Sequence, residues 1–165
     1  MSDPASPTTV NEREIADPAD QAPAEPAQPL GNPGPAESEE PPTDPAAAAA
    51  VIDGRQFAPV VNTASGEVGA TTVFHYHQDG KVIWAEYSGG AVVRGYLVGT
   101  RSGDRMSFRY SHLNIDLQTA SGVCETRIAV LDDGRVQFRE TWQWESRPEH
   151  GTSVVEELAV SGERQ

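Results

Sequence analysis

The chain has 165 residues, of which 25 are acidic and 12 are basic, so its formal net charge is −13. This acidity argues against a nucleic-acid-binding protein and against a polybasic membrane anchor, because both need clusters of lysine and arginine. The single cysteine excludes a disulfide scaffold and a cysteine-only metal site, and no apolar run approaches the length of a membrane span.

Residues 1–50 differ in composition from the rest of the chain. They hold eleven of the thirteen prolines, ten carboxylates, one cation (Arg13) and no aromatic residue. This composition predicts a disordered acidic tail, because the segment cannot bury enough apolar surface to offset the entropy of ordering its backbone. Residues 46–50 allow one helical turn leading into Val51. We interpret the tail as a solubilising extension, with a docking arm for a basic partner as the alternative.

The start of the chain also bears on its location. A secretory signal needs a basic start followed by an apolar run, whereas Ser2-Asp3-Pro4 begins an acidic stretch. We therefore expect a cytoplasmic protein.

From Val51 onward the chain consists of short β-rich runs separated by turn residues. The predicted strands cover residues 56–62, 71–78, 81–88, 91–101, 105–114, 122–131, 135–146 and 153–160. Short connections make neighbouring strands antiparallel, and closing the sheet removes its exposed edges. The sequence therefore predicts an all-β domain over residues 51–165, an eight-stranded up-and-down barrel with room inside for side chains or one small ligand.

The turns predict which residues face one another across neighbouring strands. Turns at residues 79–80, 89–90, 102–103 and 132–134 contain glycine or aspartate, which suit tight hairpins. Counting outward from each turn pairs His75 with Trp84, Trp84 with Gly95, Glu86 with Val93, Gly95 with Tyr110, Leu97 with Phe108, Val93 with His112, Trp142 with Cys124, Trp144 with Gly122 and Glu140 with Thr126.

This register gives the barrel an apolar inner face. Its predicted members are Val82, Trp84, Val93, Leu97, Phe108, Tyr110, Ile128, Phe138, Trp142 and Trp144. The outer face of the second and third strands would then carry Phe74, Tyr76, Ile83 and Tyr87, a candidate surface for a homodimer. A β-bulge in this region would reverse the assignment of its histidines.

Several short motifs follow one another between residues 52 and 159. They are Gly54-Arg55-Gln56-Phe57, Asn62 with Gly66-Glu67-Val68, Ala85-Glu86-Tyr87-Ser88-Gly89-Gly90, Gly95-Tyr96-Leu97-Val98-Gly99-Thr100, Phe108-Arg109-Tyr110, Glu140-Thr141-Trp142-Gln143-Trp144 and Gly151-Thr152-Ser153. Their order resembles small bacterial proteins that bear the name N-acetylglutamate synthase. The resemblance implies a lipocalin- or avidin-like barrel of the calycin type, and the family's name implies acetyl transfer. It implies no particular catalytic residue.

Carboxylates are predicted among the aromatic side chains of the interior. Glu86 and Glu140 share the inner face, and Glu156 is expected there because Val154, Leu158 and Val160 have the same parity. An unpaired ionised carboxylate in such a place costs several kcal/mol, so each needs a partner or a proton. The partner is an interior arginine, tyrosine or water, or else a ligand; general acid/base catalysis is the third interpretation.

Apolar walls with a few convergent polar groups are typical of a small-molecule site. We therefore predict that the protein binds a small organic molecule, with a solid core as the alternative interpretation of the same aromatics. The predicted ligand-binding residues are His75, Trp84, Glu86, Tyr110, His112, Glu140, Trp142, Trp144 and Glu156. The alternative function is a small barrel enzyme that uses Glu140 or Glu156 as acid and base, including the acetyltransferase implied by the family's name.

Two further arrangements suggest chemistry and are interpreted structurally. His75 and His77 could present imidazoles to a metal, with His112 or Glu86 as a third ligand, but stacking of His75 on Trp84 is the simpler prediction. Cys124 and His112 resemble a nucleophile and its base, yet the register separates them by about 13 Å along the strands. We expect Cys124 to be a small buried hydrophobe, and we expect no metal or cofactor.

Overall fold

The computed structural model describes residues 42–63 and 65–160, so the part of the predicted disordered tail over residues 1–41 lies outside the described residues. The elements are α1 (Pro45–Ala49), β1 (Gln56–Asn62), β2 (Val73–Asp79), β3 (Val82–Gly89), β4 (Val92–Ser102), β5 (Arg105–Asn114), β6 (Thr119–Val130), β7 (Val136–Trp144) and β8 (His150–Glu157). Each strand pairs with its neighbour in sequence, and β8 pairs with β1, which closes the barrel. The predicted all-β up-and-down barrel is confirmed. None of the helices in the described ranges is long and apolar enough to cross a membrane.

Alternation of apolar and polar side chains explains both the strands and the core. In β7, Phe138, Trp142 and Trp144 are buried, whereas Arg139 and Gln143 between them are exposed. This period of two is that of a sheet with one face in water. The hairpins turn at glycines in the left-handed region, with φ of 58° at Gly80 and 60° at Gly103. The apolar faces of all eight strands point inward and form the core.

The predicted pairing of β6 with β7 is confirmed at each of its pairs. Trp142 lies opposite Cys124, Trp144 opposite Gly122 and Glu140 opposite Thr126. The ladder between these strands runs without a bulge, so counting from the turn gives the correct partners.

The predicted pairing of β2, β3 and β4 is wrong. Asp79 pairs with Val82, so the turn lies one residue later than predicted and His77, not His75, faces Trp84. A β-bulge between Tyr87 and Gly89 then shifts the next ladder. Because side chains alternate with a period of two, a shift by an odd number of residues turns a strand over. The observed partners are Trp84 with Val98, Glu86 with Tyr96, and Tyr87 with Gly95.

This shift exchanges the two faces of β2 and β3. Phe74, Tyr76, Ile83 and Tyr87 are buried inside the barrel, so the homodimer surface predicted from them is wrong. Val82 and Trp84, predicted inside, lie on the outer face and are 49% and 39% exposed.

The pairing of β4 with β5 is also displaced, by two residues over most of its length. Gly95 faces His112, Leu97 faces Tyr110 and Gly99 faces Phe108, in place of the predicted partners. An even displacement keeps Leu97, Phe108 and Tyr110 on the inner face. A bulge between Val92 and Arg94 turns Val93 outward, where it is 47% exposed.

Helix α1 precedes the predicted domain boundary at Val51 and packs on the barrel. Asp44 caps α1 by accepting hydrogen bonds from the backbone N–H groups of Ala46 and Ala47, with Pro45 in the first turn. Ala47 is completely buried. The predicted helical turn at residues 46–50 is therefore confirmed, one residue earlier, and it is part of the barrel rather than of a tail.

Arg101, at the end of β4, holds α1 in place. Its guanidinium donates to the carbonyl oxygens of Ala47, Ala48 and Ala50 at 3.0, 3.1 and 2.8 Å. These carbonyls lie at the carboxyl end of the helix, and that of Ala47 also accepts from the backbone N–H of Ala50 at 3.2 Å. Arg101 is 7% exposed, so its charge is neutralised by backbone dipoles inside the protein.

Candidate functional site

A cavity opens at the end of the barrel opposite α1, where β1, β3, β5 and β7 end. Its mouth is formed by Asn62 and by Gly66, Glu67 and Val68 of the connection between β1 and β2. The cavity has a volume of about 50 Å³, and all the empty space between its lining residues, including open solvent, is about 470 Å³. Its apolar walls are Phe74, Leu97, Phe108, Tyr110, Trp142 and Trp144.

Aromatic contacts fix the shape of this wall. The rings of Trp142 and Trp144 meet edge to face with centroids 5.9 Å apart, and Tyr110 meets Trp144 in the same way at 5.4 Å. Such pairs are stabilising beyond the area that they bury. The wall therefore presents rigid flat surfaces to the cavity.

Glu140 supplies one of the two carboxyl groups in the cavity lining, and Glu67 supplies the other. The hydroxyl of Ser153, on β8, lies 2.6 Å from Oε2 of Glu140. Burial raises the pKa of Glu140 to about 7, and the hydrogen bond from Ser153 acts in the opposite direction. Near neutral pH the carboxyl is therefore present both with and without its proton, so it can donate or accept a hydrogen bond.

Two polar atoms of the cavity lining have no hydrogen-bond partner among the described residues. They are the indole N–H of Trp144 and the side-chain oxygen Oδ1 of Asn62. A buried polar group without a partner costs about 1–3 kcal/mol. Both atoms are shielded from solvent, so a ligand can pair with them only when the side chains around them shift.

A cluster of hydrogen bonds surrounds Glu67 at the mouth. Its Oε2 lies 2.8 Å from Nε2 of His112, and its Oε1 accepts from Asn114 Nδ2 at 3.4 Å and from Arg147 Nη2. Burial alone would raise the pKa of Glu67, but hydrogen bonds from Arg147, His112 and Asn114 outweigh it and lower that pKa. Glu67 is therefore ionised at neutral pH.

The structure brings four of the nine predicted ligand-binding residues to the cavity: Tyr110, Glu140, Trp142 and Trp144. His112 is buried, as predicted, but it lies behind the lining. Its Nδ1 is 3.0 Å from the hydroxyl of Tyr87, and its ring meets that of Trp144 edge to face.

Three of the other predicted residues lie outside the barrel because β2 and β3 are turned over. His75, Trp84 and Glu86 are exposed on the outer face, which corrects their placement in the pocket. His77, not His75, stacks on Trp84 with centroids 5.4 Å apart, and its Nε2 lies 3.1 Å from Glu86 Oε1. Within the described ranges, no three His, Cys, Asp or Glu side chains are grouped so that they could hold a metal ion.

Glu156 is the remaining correction. The pairing of β1 with β8 shifts register between Pro59 and Val61. The buried residues of β8 are Ser153 and Val155, so Glu156 does not face the interior. Glu156 accepts hydrogen bonds from Gln137 Nε2 at 2.9 Å and Arg135 Nη1 at 3.5 Å. Leu158 and Val160, which set the predicted parity, are 38% and 89% exposed and follow the end of the strand.

Cys124 is a small buried side chain, as predicted. It is 3% exposed and faces Phe108 across the ladder, while His112 pairs four residues away. Burial raises the pKa of its thiol well above the ordinary value. A neutral thiol without a base beside it is a poor nucleophile.

Sequence reasoning missed Glu67, Asn62 and Ser153. Glu67 lies in an irregular connection, where no strand periodicity gives a direction to the side chain, and Asn62 is the last residue of β1. The available signal was the motif of Asn62 followed by Gly66-Glu67-Val68. Ser153 was missed because the inner and outer faces of β8 were exchanged.

Comparison with known proteins agrees with this architecture. A family model described as "Avidin-like protein" matches residues 50–158, which is more than half of the chain. Searches of curated proteins and of solved structures find no significant match. The family match and the barrel agree with the avidin-like fold that the sequence motifs imply.

Proposed function

We propose, from the premise that the chain belongs to the avidin-like family, that it binds a small organic molecule in the barrel cavity without transforming it. The observation that carries this proposal is the cavity lining itself. Flat aromatic walls surround one unpartnered donor, on Trp144, and one unpartnered acceptor, on Asn62. A ligand that entered the cavity and shifted its lining could supply a partner to each of these groups.

The polar groups define what the ligand must offer. It needs an acceptor for the indole N–H of Trp144 and a donor for the oxygen of Asn62. Glu140 adds a group that can pair with an amide or a hydroxyl in either protonation state. The cavity encloses only about 50 Å³, so most of a ligand would extend toward Gly66 and Val68 at the mouth.

Quenching of tryptophan fluorescence by a neutral nitroaromatic amide, 4-nitrophenylacetamide, tests the proposal. We expect saturable quenching by the parent protein and binding weaker by roughly 10- to 100-fold for Glu140→Gln, which corresponds to a hydrogen bond to a charged group. Glu145→Gln is the matched control, since Glu145 pairs with the exposed Arg109 and lies outside the cavity. Equal binding by all three proteins would remove Glu140 from the site, and absence of saturable quenching would contradict a ligand cavity.

One observation favours an enzyme as the second candidate. A carboxyl with a pKa of about 7 is suited to donate and accept protons near neutral pH. Glu140 would then be the acid and base, whereas Glu156 is on the wrong face. The acetyl transfer implied by the sequence resemblance has less support, because a pyrophosphate cradle uses a glycine-rich loop that opens a helix. The turn glycines Gly80 and Gly103 instead join strand to strand.

Native mass spectrometry of protein purified from its own host separates the two candidates. A small mass that is released unchanged on denaturation supports binding. Conversion of that compound by fresh protein, lost in Glu140→Gln, supports the enzyme. The cytoplasmic location stays a prediction, and fractionation of the host would test it.

A further inference from the structure

The mouth of the cavity contains three hydrogen-bond donors that converge on a single carboxylate. His112 and Asn114 lie on β5, and Arg147 lies in the connection between β7 and β8. All three donate to Glu67, which belongs to a different connection, between β1 and β2. Such a convergence of a guanidinium, an imidazole and an amide is the arrangement that recognises a carboxylate.

The donors are held in place by contacts that do not involve Glu67. His112 is fixed by the Tyr87 hydroxyl and packs edge to face on Trp144. The guanidinium of Arg147 lies 4.8 Å from the centre of the Trp144 ring.

Asn114 is oriented in the same independent way. Its side-chain oxygen accepts from the backbone N–H groups of Asp116 and Gln118, at 3.0 and 2.9 Å, which turns its amide nitrogen toward Glu67. Removing the Glu67 carboxylate would therefore leave three donors directed at one point.

Glu67 stands between these donors and the cavity. Glu67 lines the cavity, and so does Trp144, whereas His112 and Arg147 contact these two side chains from behind. The residues beside Glu67 have no regular secondary structure: Gly66 bonds back to Thr63, and Val68 accepts from Asn62. The carboxylate is thus carried by an irregular segment, whereas two of its three donors lie on β5 of the barrel.

We propose that His112, Asn114 and Arg147 form a carboxylate-binding site, that Glu67 fills it in the free protein, and that the ligand is a small aromatic carboxylic acid whose carboxylate takes the place of Glu67. This inference rests on the proposed function and names the class of its ligand. The aromatic body lies against Trp142 and Trp144, and the acid points to the mouth. Rotation of the Glu67 side chain toward solvent vacates the site.

A matched pair of probes tests the inference, 4-nitrophenylacetate and 4-nitrophenylacetamide, which have the same shape and differ in charge. Glu67→Ala should bind the acid at least roughly tenfold more tightly than the parent does, while the affinity for the amide changes by less than about twofold. Adding Arg147→Gln to that variant should abolish the gain for the acid alone. Glu67→Gln keeps the shape of the side chain and should raise the affinity for the acid over the amide by a smaller factor. It replaces Glu67→Ala in the test if that variant does not fold.

The outcomes separate this inference from the proposed function. Suppose that the amide binds, and that the Glu67 substitutions raise the affinity for acid and amide equally or raise neither. The carboxylate site is then wrong, while the proposed cavity is still supported. The carboxylate site would also be wrong if the protein with both Glu67→Ala and Arg147→Gln still bound the acid more tightly than the parent. If neither probe binds any variant, both the carboxylate site and the proposed cavity are overturned.

Discussion

Glu140 shows how the surroundings of one residue determine its chemistry. Its pKa in the folded protein is about 7, compared with an ordinary value of 4.5, because burial disfavours the charged form. The folded state therefore holds a proton more tightly than the unfolded state does. Stability is highest below the unfolded pKa and falls as the pH rises through the folded one.

This linkage predicts the pH dependence of the free energy of unfolding. In the parent it should fall by up to about 3 kcal/mol between roughly pH 4.5 and pH 7, at about 1.4 kcal/mol per pKa unit. Glu140→Gln should flatten this fall and be more stable than the parent near pH 8. Urea unfolding at about pH 5 and about pH 8 measures the free energy of unfolding of each protein. Glu145→Gln is the control and should show the same pH dependence as the parent. If the free energy of unfolding of Glu140→Gln fell with pH as steeply as that of the parent, Glu140 would not be buried as described.

Gly95 tests the corrected register of β3 and β4. A Cβ at this position would overlap the ring of Tyr87. Gly95→Ala should therefore cost roughly 1–3 kcal/mol through overpacking. Gly69→Ala is the matched control, because nothing lies within 4 Å of its Cβ position. Thermal unfolding compares the two, and a Gly95→Ala protein as stable as its control would contradict the close contact of Tyr87 with Gly95.

At the scale of elements, the sequence is informative where turns are tight and ladders are regular. Counting from the turn at residues 132–134 places Glu140, Trp142 and Trp144 correctly, and with them three of the residues that line the cavity. The sequence contains no comparable signal for the bulge near Ser88. This single irregularity exchanged the inner and outer faces of β2 and β3. The contact of Glu67 with His112 joins an irregular segment to β5, 45 residues away, so periodicity could not predict it.

Helix α1 provides the prediction at this scale. A chain that begins at residue 51 lacks the three carbonyl acceptors of Arg101 and the buried Ala47. Arg101 would keep its hydrogen bonds to Gln78 and Gly103 but lose the other three, so the melting temperature should fall by roughly 5–10 °C. A chain that begins at residue 42 keeps α1 and is the reference. Equal melting temperatures would show that α1 does not stabilise the barrel.

At the scale of the whole barrel, the two ends differ in what they can do. α1 and Arg101 occupy one end, while the other opens into the aromatic cavity through the segment that carries Glu67. The three tryptophans differ in whether they lie in the cavity wall or on the outer face. Trp142 and Trp144 are 7% and 4% exposed in the cavity wall, whereas Trp84 is 39% exposed on the outer face.

The indole N–H resonances of these tryptophans test most directly whether the cavity binds a ligand. In ¹⁵N-labelled protein titrated with 4-nitrophenylacetamide, we expect the signals of Trp142 and Trp144 to move together and to saturate. The Trp144 signal should move most, because its N–H is the unpartnered donor of the lining. Trp84 is the internal control and should not move. Movement of Trp84 alone, or of none of the three, would contradict a ligand site inside the barrel.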